Sequence, residues 1–95
     1  MFESTKRAKA NKGPAVLIDK KAIEEFIAKH KDYKGDDLRI KAILLMYNEI
    51  KTGDYKEGIK YDIMALINHL INVTTENFIK EFEIKSEKDI SKLTN

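Results

Sequence analysis

Six consecutive apolar residues, Ala42 to Tyr47, constrain the fold of this 95-residue chain more than any other feature. A helix cannot place six neighbouring side chains on one stripe, so a helix built from them must be covered over most of its circumference. The surrounding segment, Leu38 to Ile50, is therefore predicted to form a central buried helix. Either the other helices of one small domain cover it, or a second copy of the chain covers the remaining face. We expect Leu45→Asp to abolish folding or assembly, because it would place an unpaired carboxylate in a desolvated site.

The composition is that of one small globular domain. Apolar residues make up 42% of the chain and charged residues 36%, which is not the composition of a disordered or membrane-spanning chain. The absence of cysteine excludes disulfides, thiolate nucleophiles and cysteine-ligated zinc. No segment approaches the roughly 18 apolar residues that a membrane span requires, and residues 1–15 contain no apolar run typical of a secretory signal. A cytoplasmic protein with no membrane contact is expected.

Charge is distributed unevenly along the sequence. Residues 1–35 contain nine Lys or Arg against five Asp or Glu, whereas residues 61–95 contain four against six. Residues 1–13 contain almost nothing to bury and are interpreted as a flexible basic arm, followed by a single helical domain at 14–95. This asymmetry favours an anionic partner at the basic end, although a solvated charged surface explains the same pattern.

Capping residues and helix breakers predict four helices and a short final turn. For the third helix, Asp54 and Glu57 have capping-box spacing, but Gly58 weakens the first turn, so the predicted range for the start of this helix extends to Lys60. The predicted caps of the other elements are Asp19, Asp36 or Asp37, Thr74, and Ser86 with Asp89. The expected fold class is mainly α, with four to five short helices around the central helix and at most one short N-terminal strand, Ala15 to Ile18.

The sequence carries few groups suited to catalysis or metal binding. It has no glycine-rich phosphate loop, no paired histidines at i, i+4 and no Gly-x-Ser-x-Gly motif. His30 lies at the predicted end of the first helix, where the helix dipole favours its charged form. His69 follows Asp62 by two helical turns, a spacing that is common on protein surfaces. We therefore predict no enzyme activity, no cofactor and no metal site.

A helix-turn-helix motif is one candidate for nucleic-acid binding. Segments 63–70, 71–74 and 75–84 have the order helix, short turn, helix that this motif requires. The second helix would present Glu76, Glu81 and Glu83, with only Lys80 to oppose them. Because these carboxylates repel phosphate, two ordinary helices of a bundle are the preferred interpretation.

The first half of the chain offers a second candidate. A basic arm precedes Ala-Val-Leu-Ile-Asp, a helix of about a dozen residues, a glycine-containing turn and a longer helix. This order, over Gly13 to Ile50, resembles the ribbon-helix-helix family of DNA-binding proteins. The resemblance implies that two chains pair their strands into a ribbon in the major groove, with Ala15 and Leu17 towards the bases and Lys20 and Lys21 beside the ribbon. It also implies that the second helices pack across the dimer axis.

These patterns support two functions. The first is a homodimeric DNA-binding protein, acting as a repressor or as a plasmid or phage maintenance factor, whose C-terminal helices (59–93) cap the dimer or bind a partner protein. Its arm would contact the phosphates of duplex DNA through Lys6, Arg7, Lys9 and Lys12. The alternative is a protein-binding module or inhibitor with no nucleic-acid role. Its predicted contacts are Glu76, Glu81 and Glu83, with Tyr55 and Tyr61 as aromatic anchors.

Overall fold

The computed structural model describes residues 18–94, which form four α-helices and a terminal 3₁₀ helix and contain no strand. The elements are α1 (Lys20–His30), α2 (Leu38–Thr52), α3 (Glu57–Asn72), α4 (Thr75–Phe82) and the 3₁₀ helix Glu87–Leu93. The prediction of a mainly helical fold is confirmed. The predicted arm and all of the predicted strand except Ile18 lie outside the described residues.

Side-chain caps determine where three of the helices begin. Asp19 caps α1, Asp37 caps α2 and Thr74 caps α4, each accepting a backbone N–H of the first turn at 3.0 to 3.1 Å. These three caps were predicted from the sequence, and of the two candidates for α2 it is Asp37 that caps. An oxygen at this position satisfies N–H groups that have no partner inside the helix.

The start of α3 lies within the predicted range, but the predicted capping box is not formed. The helix begins at Glu57 and not as late as Lys60, and its N-cap is Lys56, which makes no side-chain cap hydrogen bond. Asp54 lies two residues before the N-cap and so cannot form a capping box with Glu57, which requires the N-cap and N3 positions. Glu57 instead occupies the first turn, where its negative charge is favourable at the positive end of the helix dipole.

The last predicted cap is only partly correct. Ser86 precedes the 3₁₀ helix without a side-chain cap hydrogen bond. The carboxylate of Asp89 accepts the backbone N–H of Lys85 at 3.0 Å and lies 3.4 Å from the ammonium of Lys92. The backbone hydrogen bond, assisted by the lysine charge, lowers the pKa of Asp89 below its ordinary value of 3.8. The acidic side chain therefore closes this turn.

Helix α2 is the centre of the fold. It packs against α1, α3, α4 and the 3₁₀ helix, and it buries one stripe formed by Ala42, Ile43, Met46 and Ile50. The remaining core residues are Ile23, Ile63, Ile67, Leu70, Phe78, Ile84 and Ile90. The prediction of a central helix is confirmed, and helices of the same chain provide the cover.

The prediction that Leu45 lies in a desolvated site is wrong. The side chain of Leu45 is 46% exposed, because it lies outside the buried stripe of α2. The expectation that Leu45→Asp abolishes folding loses its physical basis, since a carboxylate at this position would remain in contact with water. The apolar character of α2 also no longer requires a second copy of the chain.

The start of α2 is fixed to the end of α3 by the side chain of Arg39. Its Nη1 donates hydrogen bonds to the backbone carbonyls of Leu70 at 3.0 Å, Ile71 at 3.2 Å and Val73 at 2.8 Å. Carbonyls at the C-terminal end of a helix have no partner inside the helix. The guanidinium therefore supplies donors and a positive charge where the helix dipole is negative.

Asp37 fixes α4 to the same place. The hydroxyl of Thr75, the first residue of α4, donates to the Asp37 carboxylate, with oxygens at 2.7 and 2.8 Å. The same carboxylate caps α2. The termini of three helices thus meet at two adjacent polar side chains, Asp37 and Arg39.

Within residues 18–94, no helix is both long and apolar enough to cross a membrane.

Candidate nucleic-acid interface

Two of the seven residues predicted to contact DNA lie in the described part of the chain. They are Lys20 and Lys21, which open α1 and are exposed. The other five, Lys6, Arg7, Lys9, Lys12 and Leu17, lie outside the described residues. The structure therefore places the point at which the basic N-terminal region joins the helical domain.

Lys20 lines a groove between the start of α1, the end of α2 and the start of α3. The groove has a volume of about 300 Å³. Its lining consists of apolar Ile18, Ile50 and Met64, aromatic Tyr47 and Tyr61, and charged Lys20, Lys51, Lys60 and Glu57. We call it the basic groove. Lys21 is exposed but is not part of the lining.

The charge of the basic groove is positive and largely uncompensated. The lining contains three lysines and one glutamate. Among residues 18–94, no carboxylate lies within 4 Å of the ammonium of Lys20, Lys51 or Lys60. Because each lysine comes from a different helix, the charges converge only in the folded chain. Such a cluster attracts an anionic ligand.

Local sequence explains how two of these side chains are held. Lys51 lies in the last turn of α2, where the helix dipole favours a cation. One helical turn earlier lies Tyr47, and the Lys51 Nζ is 5.6 Å from the centroid of its ring. This distance is within the range of a cation–π interaction. Lys51 and Tyr47 therefore form one wall of the groove together.

The aromatic component is as distinctive as the charge. The side chain of Tyr61 is 58% exposed. Among residues 18–94 this is more than Leu45 or Ile59, the other exposed large apolar side chains. Tyr47 is half-buried and Ile50 is buried beneath the groove. A positively charged groove with an accessible ring and an apolar floor suits a ligand that is both flat and anionic, such as a nucleotide.

Comparisons with known proteins give no guide to what this site binds. No family model, curated protein or solved structure matches the chain. The ribbon-helix-helix assignment therefore stays a prediction from residues 13–50. The chemistry of the basic groove and of the basic N-terminal region is what indicates a function for this chain.

The two histidines lie outside the basic groove. His30 lies at the end of α1, and its Nδ1 donates to the backbone carbonyl of Phe26 at 3.0 Å. The imidazole also stacks on the Phe26 ring, with the two ring centroids 4.3 Å apart. His69 Nε2 lies 3.2 Å from a carboxylate oxygen of Glu81, so its contact is with α4 and not with Asp62. No group of three His, Asp or Glu residues within 18–94 is arranged to hold a metal ion.

The aromatic anchors predicted for a protein partner lie in different grooves. Tyr61 lines the basic groove, whereas Tyr55 lines a second groove with Ile59 and Leu93. The Tyr55 hydroxyl donates to Glu49 at 3.2 Å. Partial burial, together with the Glu49 carboxylate, raises the pKa of Tyr55 above its ordinary value of 10.0. The acidic residues Glu76, Glu81 and Glu83 are exposed on α4 and just after it.

Proposed function

We propose that this chain is a cytoplasmic protein that binds duplex DNA through its basic N-terminal region, as a repressor or as a plasmid or phage maintenance factor. The observation that carries the proposal is the convergence of Lys51 and Lys60 on Lys20. This convergence lies where the chain continues into residues 1–17, which contain four further basic residues. Three positive charges that are separated in the sequence are thereby gathered where the described part of the chain begins.

The proposed contacts divide into two groups. Lys6, Arg7, Lys9 and Lys12 bind phosphates, and the basic groove extends the same positive surface onto the helical domain. Neutralising a phosphate releases condensed counterions, so affinity falls as salt rises, with a slope of about 0.9 per contact for duplex DNA. In the dimeric form of the proposal, two N-terminal regions pair to place Leu17 against the bases, with Lys20 and Lys21 beside them.

The test measures affinity for a random duplex at a low and a high salt concentration. We compare the wild type with an arm variant, in which Lys6, Arg7, Lys9 and Lys12 are changed to Gln, and with a groove variant carrying Lys20→Gln, Lys51→Gln and Lys60→Gln. The arm variant should lose affinity, and its salt slope should fall by up to about 3.6 units, while that of the groove variant should fall by up to about 2.7 units.

A matched control removes three exposed lysines from the other end of the chain. It carries Lys80→Gln in α4, Lys85→Gln between α4 and the 3₁₀ helix, and Lys88→Gln in the 3₁₀ helix, all at exposed positions. If DNA is the ligand, this control keeps the affinity and salt slope of the wild type. Equal and feeble binding by all four proteins would refute the proposal. Light scattering on the same samples reports whether the chain is a dimer.

A second candidate function is a protein-binding module without a nucleic-acid role. It is favoured by the exposure of Leu45 and Ile59 at 46% and 45%, since exposed apolar side chains anchor protein interfaces. The acidic residues of α4 would supply the polar contacts. Failure of every DNA measurement above, with a folded protein, would leave this candidate.

A further inference from the structure

We infer that the basic groove holds an unpaired nucleotide, so that the preferred ligand is DNA in which a short single-stranded segment adjoins a duplex. This inference rests on the proposed DNA binding and specifies which form of DNA this site recognises. It is carried by three features of one groove: an exposed tyrosine, an apolar floor, and three lysines without a carboxylate partner among residues 18–94.

The aromatic surface of the basic groove distinguishes it from a site for phosphates alone. A site for duplex phosphates needs cations alone, because the faces of paired bases are hidden in the stack. The basic groove adds the accessible ring of Tyr61 and the half-buried ring of Tyr47. Bases that are not paired stack on aromatic side chains whatever their identity. The rings therefore favour an unpaired base over an intact duplex.

The dimensions and charges of the basic groove agree with this ligand. A volume of about 300 Å³ is at the lower end of the range for pockets that bind small molecules. Lys20, Lys51 and Lys60 approach from three different helices, so a phosphate on either side of a bound base would meet an ammonium group. Met64 and Ile50 offer apolar contact beneath it.

Two other grooves of the domain differ from the basic groove in charge. The groove beside Leu45 is lined by Glu49 and Glu87, and the groove beside Ile59 by Asp62. Neither lining contains a lysine or arginine. A polyanion is disfavoured at both, which leaves the basic groove as the site among these three that combines rings with positive charge.

The experiment compares three probes: a blunt duplex, the same duplex with a short oligothymidine overhang, and oligothymidine alone. Stacking of one base on a ring is worth about 1–3 kcal/mol, so the overhang should tighten binding by about tenfold. Tyr61→Ala should remove this advantage while leaving the affinity for the blunt duplex within about twofold. Tyr61→Phe keeps the ring and should keep the advantage.

The outcomes separate this inference from the proposed function. An overhang that gives no advantage, or a Tyr61→Ala variant that weakens blunt and overhang binding equally, overturns the inference even if duplex binding is strong. Oligothymidine binding that depends on Tyr61 and is as tight as binding of the overhang probe, without blunt duplex binding, supports an unpaired base in the basic groove but overturns both the duplex proposal and the preference for an adjoining duplex. Absence of binding to all three probes by a folded wild type overturns both.

Discussion

Ile43→Asp is expected to unfold the protein, whereas Leu45→Asp, two residues along the same helix, leaves it folded. Ile43 is fully buried in the core, while Leu45 is 46% exposed. An unpaired carboxylate in an apolar site costs several kcal/mol, which is comparable to the whole stability of a domain of this length, roughly 5–14 kcal/mol. At Leu45 the charge stays hydrated, and we expect a cost below about 1 kcal/mol.

Circular dichroism and urea unfolding measure this difference directly. Leu45→Asp is the matched control, because it introduces the same charge into the same helix. If both variants unfold, the exposed side of α2 is covered in solution by something beyond residues 18–94. If Leu45→Asp stays folded but converts a dimer to a monomer in light scattering, this face is the contact between two copies of the chain. Ile43→Asp with wild-type stability would contradict the packing of the core.

Arg39→Met is expected to lower the free energy of unfolding by about 2–4 kcal/mol, since hydrogen bonds from a charged donor are each worth about 1.5–3 kcal/mol and are not additive. Methionine keeps most of the aliphatic stem but leaves the carbonyls of Leu70, Ile71 and Val73 without the guanidinium that they share. For a domain of this size the loss corresponds to a fall in melting temperature of about 8–30 °C.

Two further variants test the reason for this loss. Arg39→Lys retains a positive charge and donors at the end of α3, so it should be less damaging than Arg39→Met. Lys41→Met removes a nearby cation from α2 that pairs with Glu87 at 3.3 Å near the surface, and it should cost less than about 1 kcal/mol. Equal stabilities of Arg39→Met and the wild type would show that the three carbonyls are satisfied without this side chain.

The features that sequence reasoning could predict are those encoded locally. Asp19, Asp37 and Thr74 act on backbone groups within three residues of themselves, so their patterns are visible in the sequence. The capping box predicted for Asp54 and Glu57 is not formed, because the same residue spacing also occurs where a helix begins at a different residue. Sequence patterns predict that a helix exists better than they predict its first residue.

Long-range features could not be predicted in the same way. Arg39 acts on carbonyls 31 to 34 residues away, and no local pattern indicates that contact. The exposure of Leu45 depends on which side of α2 its neighbours occupy. An uninterrupted apolar run indicates that a helix is central, but it does not show which residue of the run stays in water.

The residues of the basic groove show the same difference between local and long-range features. Lys20 was predicted from its position beside the basic arm, and Tyr61 was singled out only as an anchor for a protein. Lys51 and Lys60 were missed, although the four-residue spacing of Tyr47 and Lys51 is a local signal for a cation held over a ring. Their meeting with Lys20 requires the ends of three helices to come together.

Because the basic groove is assembled from the ends of three helices, it does not exist in the unfolded chain. A ligand that occupies it must therefore shift the folding equilibrium, adding about 2.7 kcal/mol at one hundred times its dissociation constant. In a domain this small, each kcal/mol raises the melting temperature by about 4–8 °C. The melting temperature therefore reports whether the basic groove is occupied. It can rank the binding of oligonucleotides, nucleotides and inorganic anions without any label.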